Sequence, residues 1–348
     1  MLPTLLNPQG ALRALVLFTL LAAASLAALL HWPMAPRAWV DLLRYLPYPA
    51  WLLPTLLVWL VAWAAGWRWG LLASLAPAIV LTGVMGWTWG APEAGRQPLR
   101  FMTYNIKAYR AHDRPYGFIL LADELRRWDA DVVVMQDATL EKGPLHRLPE
   151  ELREALPQHQ LHRHDQYVVA SRLPLAGCRS SLLTPGEHQR GFLRCTLRAP
   201  GGDIDVLTVH FLSPRDGLNA TRRERLEGYD EWRENWSIRL AQSAQLAEEI
   251  ARQPRPLILA GDLNAEEASP VVQQLLARGL RDAWSVAGRG WGHTYGHALK
   301  LRLDFLRIDH ILVSPEIAVR AVQVGAKGPS EHRPVIADLF LQRDADAP

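Results

Sequence analysis

Apolar and polar positions divide this 348-residue chain into two stretches with different periodicities. Up to residue 92 the apolar residues run together without alternation, in three charge-free segments at 14–30, 45–66 and 69–92. A helix needs about 20 apolar residues to cross a bilayer. The second and third segments suffice, and the first is near the lower limit. Pro47, Pro49 and Pro54 fall early in the second segment, where the helix is expected to start late or kink, because proline lacks the N–H of an interior turn. Trp32, Trp39, Trp51, Trp67, Trp69, Trp87 and Trp89 lie near segment ends, where an interfacial belt places indole rings. The prediction for residues 1–92 is a membrane region of three transmembrane helices. A cleaved signal peptide, with Ala35-Pro36-Arg37-Ala38 as a loose processing site, is the competing reading of the first segment. The two further spans favour an uncleaved anchor.

Beyond residue 92 the pattern changes to short apolar runs that end on polar residues. A polar linker over 93–99 leads into strands predicted at 99–104, 131–135, 167–171, 195–197, 204–209, 257–259, 308–313 and 335–340. Helices are predicted at 119–128, 145–156, 222–252 and 271–279, and a frayed tail at 342–348. Strands outnumber helices, and hairpins mix with helical crossovers. The fold class expected for a domain over 100–341 is therefore an α/β sandwich of two sheets covered by helices, not a doubly wound sheet.

Charge changes the picture in one respect. Residues 1–92 hold four arginines and Asp41, which accounts for the formal +3 of the whole chain and leaves 34 basic and 34 acidic residues after it. A nucleic-acid footprint needs basic residues clustered on the soluble domain, and net charge gives no sign of one. Arg13 and Arg68 would flank one side of the membrane, and Arg37, Arg44, Arg96 and Arg100 the other, which weakly favours a cytoplasmic domain. Cys178 and Cys195 argue the opposite way. They flank the turn-like Thr184-Pro185-Gly186-Glu187-His188, and a hairpin centred there sets them nearly opposite each other. A disulfide between them implies an extracytoplasmic, periplasmic compartment, and two unrelated buried thiols are the alternative. The expected location is a multi-pass inner-membrane protein with its domain outside the cytoplasm.

Four motifs carry the chemistry: Met102-Thr103-Tyr104-Asn105-Ile106, Gly261-Asp262-Leu263-Asn264, Arg307-Ile308-Asp309-His310 and Ser330-Glu331-His332-Arg333-Pro334. Each joins a strand-like run to polar residues just past a strand end. Asp262 and Asn264 alternate along an extended segment, so both side chains point the same way. A carboxylate such as Asp309 on an imidazole such as His332 fixes the tautomer and raises basicity at the far nitrogen. Collected at one sheet edge, these groups would hold a metal ion, a phosphate and an activated water.

From residue 100 to 339 the chain resembles the endonuclease/exonuclease/phosphatase superfamily, which includes abasic-site nucleases, DNase I-like enzymes, bacterial sphingomyelinases and inositol-polyphosphate phosphatases. The resemblance implies a four-layer α/β sandwich and divalent-metal-assisted hydrolysis of phosphoesters, with Mg²⁺ or Mn²⁺ as cofactor. It implies catalytic roles for His332, Asp309, Asp262, Asn264 and His210, the last in Leu207-Thr208-Val209-His210. Asp262 would position or deprotonate the water, Asn264 stabilise the pentacovalent phosphorus, and His210 contact a phosphate oxygen. The metal would lie on Asp137, Asn105 and Glu331. Two positions depart from the family pattern: Asp137 stands where Glu is usual, and Glu331 where Asp is usual. One arm is shortened and the other lengthened, so the metal is expected nearer Glu331. Lys107 occupies a place where some nucleases have an acid. Arg239 and Gln242 match a supporting Arg-x-x-Gln pair, and Tyr229, Trp232 and Trp236 read as core or as a stacking platform.

The function expected is a membrane-anchored phosphodiesterase or phosphatase acting on a phospholipid or other small phosphoester. A nuclease is the alternative, and a non-catalytic membrane protein that binds phosphorylated ligands is the alternative of another class.

Overall fold

The computed structural model describes residues 8–32, 37–95, 98–139, 148–184, 190–252, 256–296 and 303–342. Of the sequence expectations, Ala35-Pro36, Arg96 and Gln97 of the linker, residues 145–147, Pro185 to His188 of the turn and the tail beyond Gln342 lie outside them. The chain forms two compact units, Met1–Thr88 and Trp89–Pro348, a boundary four residues ahead of the composition change.

In the first unit α1 spans Pro8–His31, α2 Ala38–Arg44, α3 Tyr48–Ala65 and α4 the helical run Trp67–Val84. Helices α1, α3 and α4 are each long and apolar enough to cross a membrane. Helix α3 starts at Tyr48 with Pro47 as its cap and Pro49 in the first turn, where a missing N–H leaves no broken bond. Pro54 lies inside it. Few polar groups occur along these helices, and two of them bridge neighbouring helices. Trp59 Nε1 donates to Ser74 Oγ at 2.7 Å, and the Arg44 guanidinium, paired with Asp41, donates to the Leu30 carbonyl at the end of α1.

Among the described residues the second unit holds twelve strands in its two main sheets. They are β1 Leu99–Asn105, β2 Val132–Gln136, β3 Gln160–His164, β4 Tyr167–Ser171, β5 Leu175–Thr184, β6 Arg190–Ala199, β7 Gly202–His210, β8 Leu257–Asp262, β9 Arg281–Asp282, β10 Asp309–Val313, β11 Ile317–Val324 and β12 Val335–Leu341. One sheet has the order β11-β12-β1-β2-β4-β3 and the other β9-β10-β8-β7-β6-β5. In each, the central pair is parallel (β1 with β2, β7 with β8) and the other pairs are antiparallel.

Side-chain alternation sorts the residues into layers. Phe101, Val132, Val134, Val206, Ile258 and Ile311 face the space between the sheets. Met102, Tyr104, Val133 and Met135 face outward, against Ala111, Leu121, Leu125 and Leu152 of the short helices α5 Ala108–His112, α6 Gly117–Trp128 and α7 Glu150–Glu154. On the far side Leu207, Val209 and Leu259 pack on Leu246, Val271 and Leu275 of α9 Leu226–Ala251 and α10 Pro270–Leu276. The result is the expected four-layer sandwich.

Two helix expectations need correction. The helix predicted over 222–252 is two, α8 Arg215–Glu224 and α9, broken at Arg225, whose φ of 57° cannot continue a helix. Of the helix predicted over 145–156, Glu150–Glu154 is helical, entered at Pro149. The anticipated hairpin is present: β5 pairs antiparallel with β6, and a disulfide joins Cys178 to Cys195. The indole of Trp232 is fully buried under the Arg239 guanidinium, so it is core and not a stacking platform.

Candidate active site

Parallel strands end on the same side, so β1, β2, β7 and β8 bring Asn105, Gln136, His210 and Asp262 to one edge of the sandwich. Register makes the neighbours explicit: Asn105 sits opposite Gln136, His210 opposite Asp262, and Asp309, at the start of antiparallel β10, also opposite Asp262. Beneath this edge Gln136 Nε2 donates to Thr103 Oγ1 and Thr208 Oγ1, tying the two sheets together.

Asp262 is the hub. Its Oδ1 accepts the Asn264 backbone N–H at 2.9 Å, and its Oδ2 accepts from Asn105 Nδ2 at 2.9 Å across the sheets. The same Oδ2 lies 3.4 Å from His210 Nε2 and 3.6 Å from His332 Nε2. Burial pushes its carboxyl up, His332 pulls it back, and the neighbouring Asp309 adds to the rise; the net direction is upward. A carboxylate less acidic than usual, ringed by donors, suits a proton acceptor.

His332 hangs from the loop before β12. Its Nδ1 lies 2.9 and 3.1 Å from the two oxygens of Asp309, which leaves Nε2 toward Asp262. The loop is fixed by Ser330 Oγ, which donates to the Asn105 carbonyl and accepts the His332 N–H. Thr294 Oγ1 accepts the backbone N–H groups of Ile308 and Asp309, and Tyr295 packs on the imidazole with ring centroids 4.8 Å apart. Ligand atoms of Asp262, Asp309 and His332 lie within 4.8 Å of one another, a spacing that can hold a metal ion. Asp309 spends both oxygens on the imidazole, so this trio is first a hydrogen-bonded dyad facing its carboxylate.

The residues expected to hold the metal stand around a cation of the chain's own. Asn105 turns its amide to Asp262, not to Asp137. Asp137 Oδ2 and Glu331 Oε2 lie 4.0 and 3.7 Å from one cation, the Lys107 ammonium. Two carboxylates aimed at one positive centre are a donor set that fits a hard divalent ion, for which oxygen ligands are preferred. Glu331 also faces Arg110 Nε at 3.8 Å and Arg215 NH2 at 3.6 Å.

His210 completes the arrangement. Its Nδ1 lies 2.7 Å from Gln166 Oε1 and 3.3 Å from Asp137 Oδ1, so both ring nitrogens meet acceptors. Burial alone would lower its pKa, but the Asp137 and Asp262 carboxylates raise it, and the imidazolium is favoured. Burial alone would likewise raise Asp137, yet His210 and Lys107 hold it well below the usual carboxylate range.

Support comes from behind. Arg239 donates to the Asn264 carbonyl at 3.3 Å, and Gln242 Oε1 accepts the Leu212 N–H, so this pair props the two loops that follow β8 and β7. Lys107, Asp137 and Asn264 all have positive φ (40°, 50° and 49°), a conformation that costs a side-chain-bearing residue energy and gathers at functional sites. At Gly261 a Cβ would stand 2.0 Å from the Val209 carbonyl oxygen, so only glycine permits the β7–β8 approach that sets His210 beside Asp262. Of the residues around the site, Arg110, Arg215, Gln166 and Tyr295 were not singled out from sequence. None belongs to a strand-end motif, and only the packing of separate loops brings them in.

Comparisons with known proteins bear on the fold and the family. The fold is shared with an endonuclease/exonuclease/phosphatase from Beutenbergia cavernae (TM-score 0.53, 24% identity, covering 72% of this chain and 74% of that one). It is shared also with one from Bacteroides vulgatus (0.53, 17%, 71% and 100%) and with truncated Caenorhabditis elegans TDP2 (0.51, 15%, 70% and 97%). No curated protein matches the sequence significantly. The family profile described as Endonuclease/Exonuclease/phosphatase family matches residues 102–332, which span every candidate site residue from Asn105 to His332. The chain belongs to that family of phosphoester hydrolases.

Proposed function

We propose that this protein is a membrane-anchored phosphoesterase that hydrolyses a phosphodiester or phosphomonoester by water attack, assisted by one divalent cation, Mg²⁺ or Mn²⁺. The observation that carries the reading is the convergence of Asn105, His210, Asn264 and the Asp309–His332 dyad on the buried Asp262 carboxylate. Asp137 and Glu331 would hold the ion, with Asn105 nearby. When bound, it supplies a Lewis acid that polarises a phosphoryl oxygen. Asp262 takes the proton of the attacking water, a role that its raised pKa suits. As the P–O bond to the leaving group breaks, His332, oriented by Asp309, passes a proton through Nε2 to the departing oxygen. Bound substrate would draw the His210 Nε2–H away from Asp262, 3.4 Å off, and that N–H together with the Asn264 amide would donate to oxygens that gain charge in the transition state.

The substrate class favoured is a phospholipid head group or another small phosphoester. Formal neutrality beyond residue 92 argues against a long polyanion, while Arg110 and Arg215 suit a compact anionic group at the site. Three helices long and apolar enough to cross a bilayer support an inner-membrane location. The Cys178–Cys195 disulfide supports a periplasmic domain, against a four-to-two arginine count the other way.

The full-length protein in detergent, assayed with Mg²⁺ and with EDTA, decides between classes. The panel is sphingomyelin, phosphatidylinositol phosphates, plasmid DNA and bis-p-nitrophenyl phosphate. Metal-dependent turnover of the lipids or the small diester is expected. Plasmid cleavage in their place would make it a nuclease, and phosphate binding without turnover of any substrate would make it a non-catalytic binding protein.

A further inference from the structure

Lys107 has no place in the chemistry above, yet it stands at its centre. It follows Asn105 by two residues, and its φ of 40° starts α5 from a left-handed turn. The side chain is buried, with 6% of the residue exposed. Its ammonium meets both carboxylates assigned to the metal, Asp137 at 4.0 Å and Glu331 at 3.7 Å, and donates to the Tyr109 hydroxyl at 3.5 Å. A cation buried between two anions holds them at a distance where, unpaired, they would repel each other.

We propose that Lys107 is a resident cation of the metal site. Its ammonium keeps Asp137 and Glu331 positioned in the metal-free protein. It also opposes entry of the divalent ion, so that a single ion binds, and binds weakly. This inference rests on the reading that Asp137 and Glu331 hold the ion. The physical cause is direct: two positive centres compete for the same carboxylates, and a full charge about 4 Å from each of them lowers the affinity of the site for any other cation. The flexible four-carbon stem allows the ammonium to withdraw from the carboxylates while the backbone stays in place. Arg110 and Arg215 compete at Glu331 only, and both are nearly half exposed (46% and 44%), so they oppose the ion less than Lys107, which engages both ligands from a buried position.

The test is Mn²⁺ binding to the full-length protein in detergent micelles, read from the electron paramagnetic resonance signal of free Mn²⁺. Wild type is expected to bind one ion per chain, and K107Q to bind it at least tenfold more tightly. K107R, which keeps the charge, is expected to stay within about threefold of wild type. K107M keeps the unbranched stem and answers the same question if K107Q does not fold. Equal dissociation constants for wild type and the neutral variants, or tighter binding by K107R as well, would overturn the proposal while leaving the metal-assisted reading intact. Binding by the neutral variants alone would support it. Failure of every protein to bind Mn²⁺ would overturn both.

Discussion

Asp262 accepts hydrogen bonds from Asn105 and Asn264 and lies 3.4 and 3.6 Å from His210 and His332, and the contacts around it have separable consequences. Removing the imidazole in H332A should cut kcat by about 10²–10⁴-fold with little change in melting temperature, since a general acid–base group contributes that much. D309N should cost a comparable factor, because an amide can stabilise the wrong tautomer at Nδ1. Both are read as kcat at saturating Mg²⁺, and wild-type turnover by either variant would remove the dyad from the chemistry. The pH behaviour of His210 follows from its neighbours. Its pKa is raised in the folded protein, so pairing with Asp137 adds stability fully present below about pH 6.5 and lost as pH rises through the folded value. Asp137 is depressed, so its share is present above about pH 3.9 and fades as pH falls through its folded pKa. Imidazole NMR signals of the metal-free protein should show His210 titrating above 6.5, and D137N should lower that midpoint. At this scale the strand-end residues were legible, because an Asn, Asp or His after an apolar run stands out. What was not legible is direction: nothing in Met102 to Lys107 says that the Asn105 amide turns to Asp262, or that Lys107 lies between Asp137 and Glu331.

The eight strands legible as apolar runs are the inner strands of the two sheets. The four edge strands, β3, β5, β9 and β11, were not predicted as runs, and β5 was implied only through the hairpin. For β3 the reason is physical. An inner strand such as Val132–Gln136 is buried on both faces, whereas Gln160–His164 has no buried residue and so carries no apolar signature. The break at Arg225 was hidden likewise, because a polar helix surface continues across it without a change of periodicity. Element positions also depend on a buried charge network behind the site. Asp282 N-caps α11 (Ala283–Ala287), meets His310 Nδ1 and Arg307 NH1 at 2.7 Å each, and so ties β9 and β10 to the Asp309 strand end. Burial alone would raise its carboxyl, but Arg307 and His310 hold it far below the ordinary range, so it stays charged into acid. D282N should therefore cost about 3–5 kcal/mol in denaturant unfolding near neutral pH, the penalty for stranding a buried charge. A loss below about 1 kcal/mol would show the network to be dispensable.

For the whole molecule, composition separated an apolar first unit from a formally neutral second one. It placed the boundary at 92, while the contacts place it after Thr88. The two cysteines give a prediction at this scale. Closing a loop across a sequence separation of 17, the disulfide should contribute about 3 kcal/mol, so C178S/C195S should melt lower than the oxidised protein and match it once reduced. Periplasmic reporter activity from a fusion after residue 97 should accompany it; free thiols in the native protein, with cytoplasmic reporter signal, would reverse the orientation. Neither sequence nor fold names the substrate, because the family's sandwich supports many phosphoesters and specificity lies in loops that packing alone assembles. The claim that hydrolysis occurs at Asp262 with a divalent ion does not depend on that choice. It is tested most directly by the rate of bis-p-nitrophenyl phosphate hydrolysis by the full-length protein after exhaustive chelation, before and after Mg²⁺ or Mn²⁺ is restored, beside D262N. Turnover that vanishes on chelation, returns with the ion and is absent from D262N is the predicted result. Undiminished turnover without metal, or a D262N variant as fast as wild type, would contradict it.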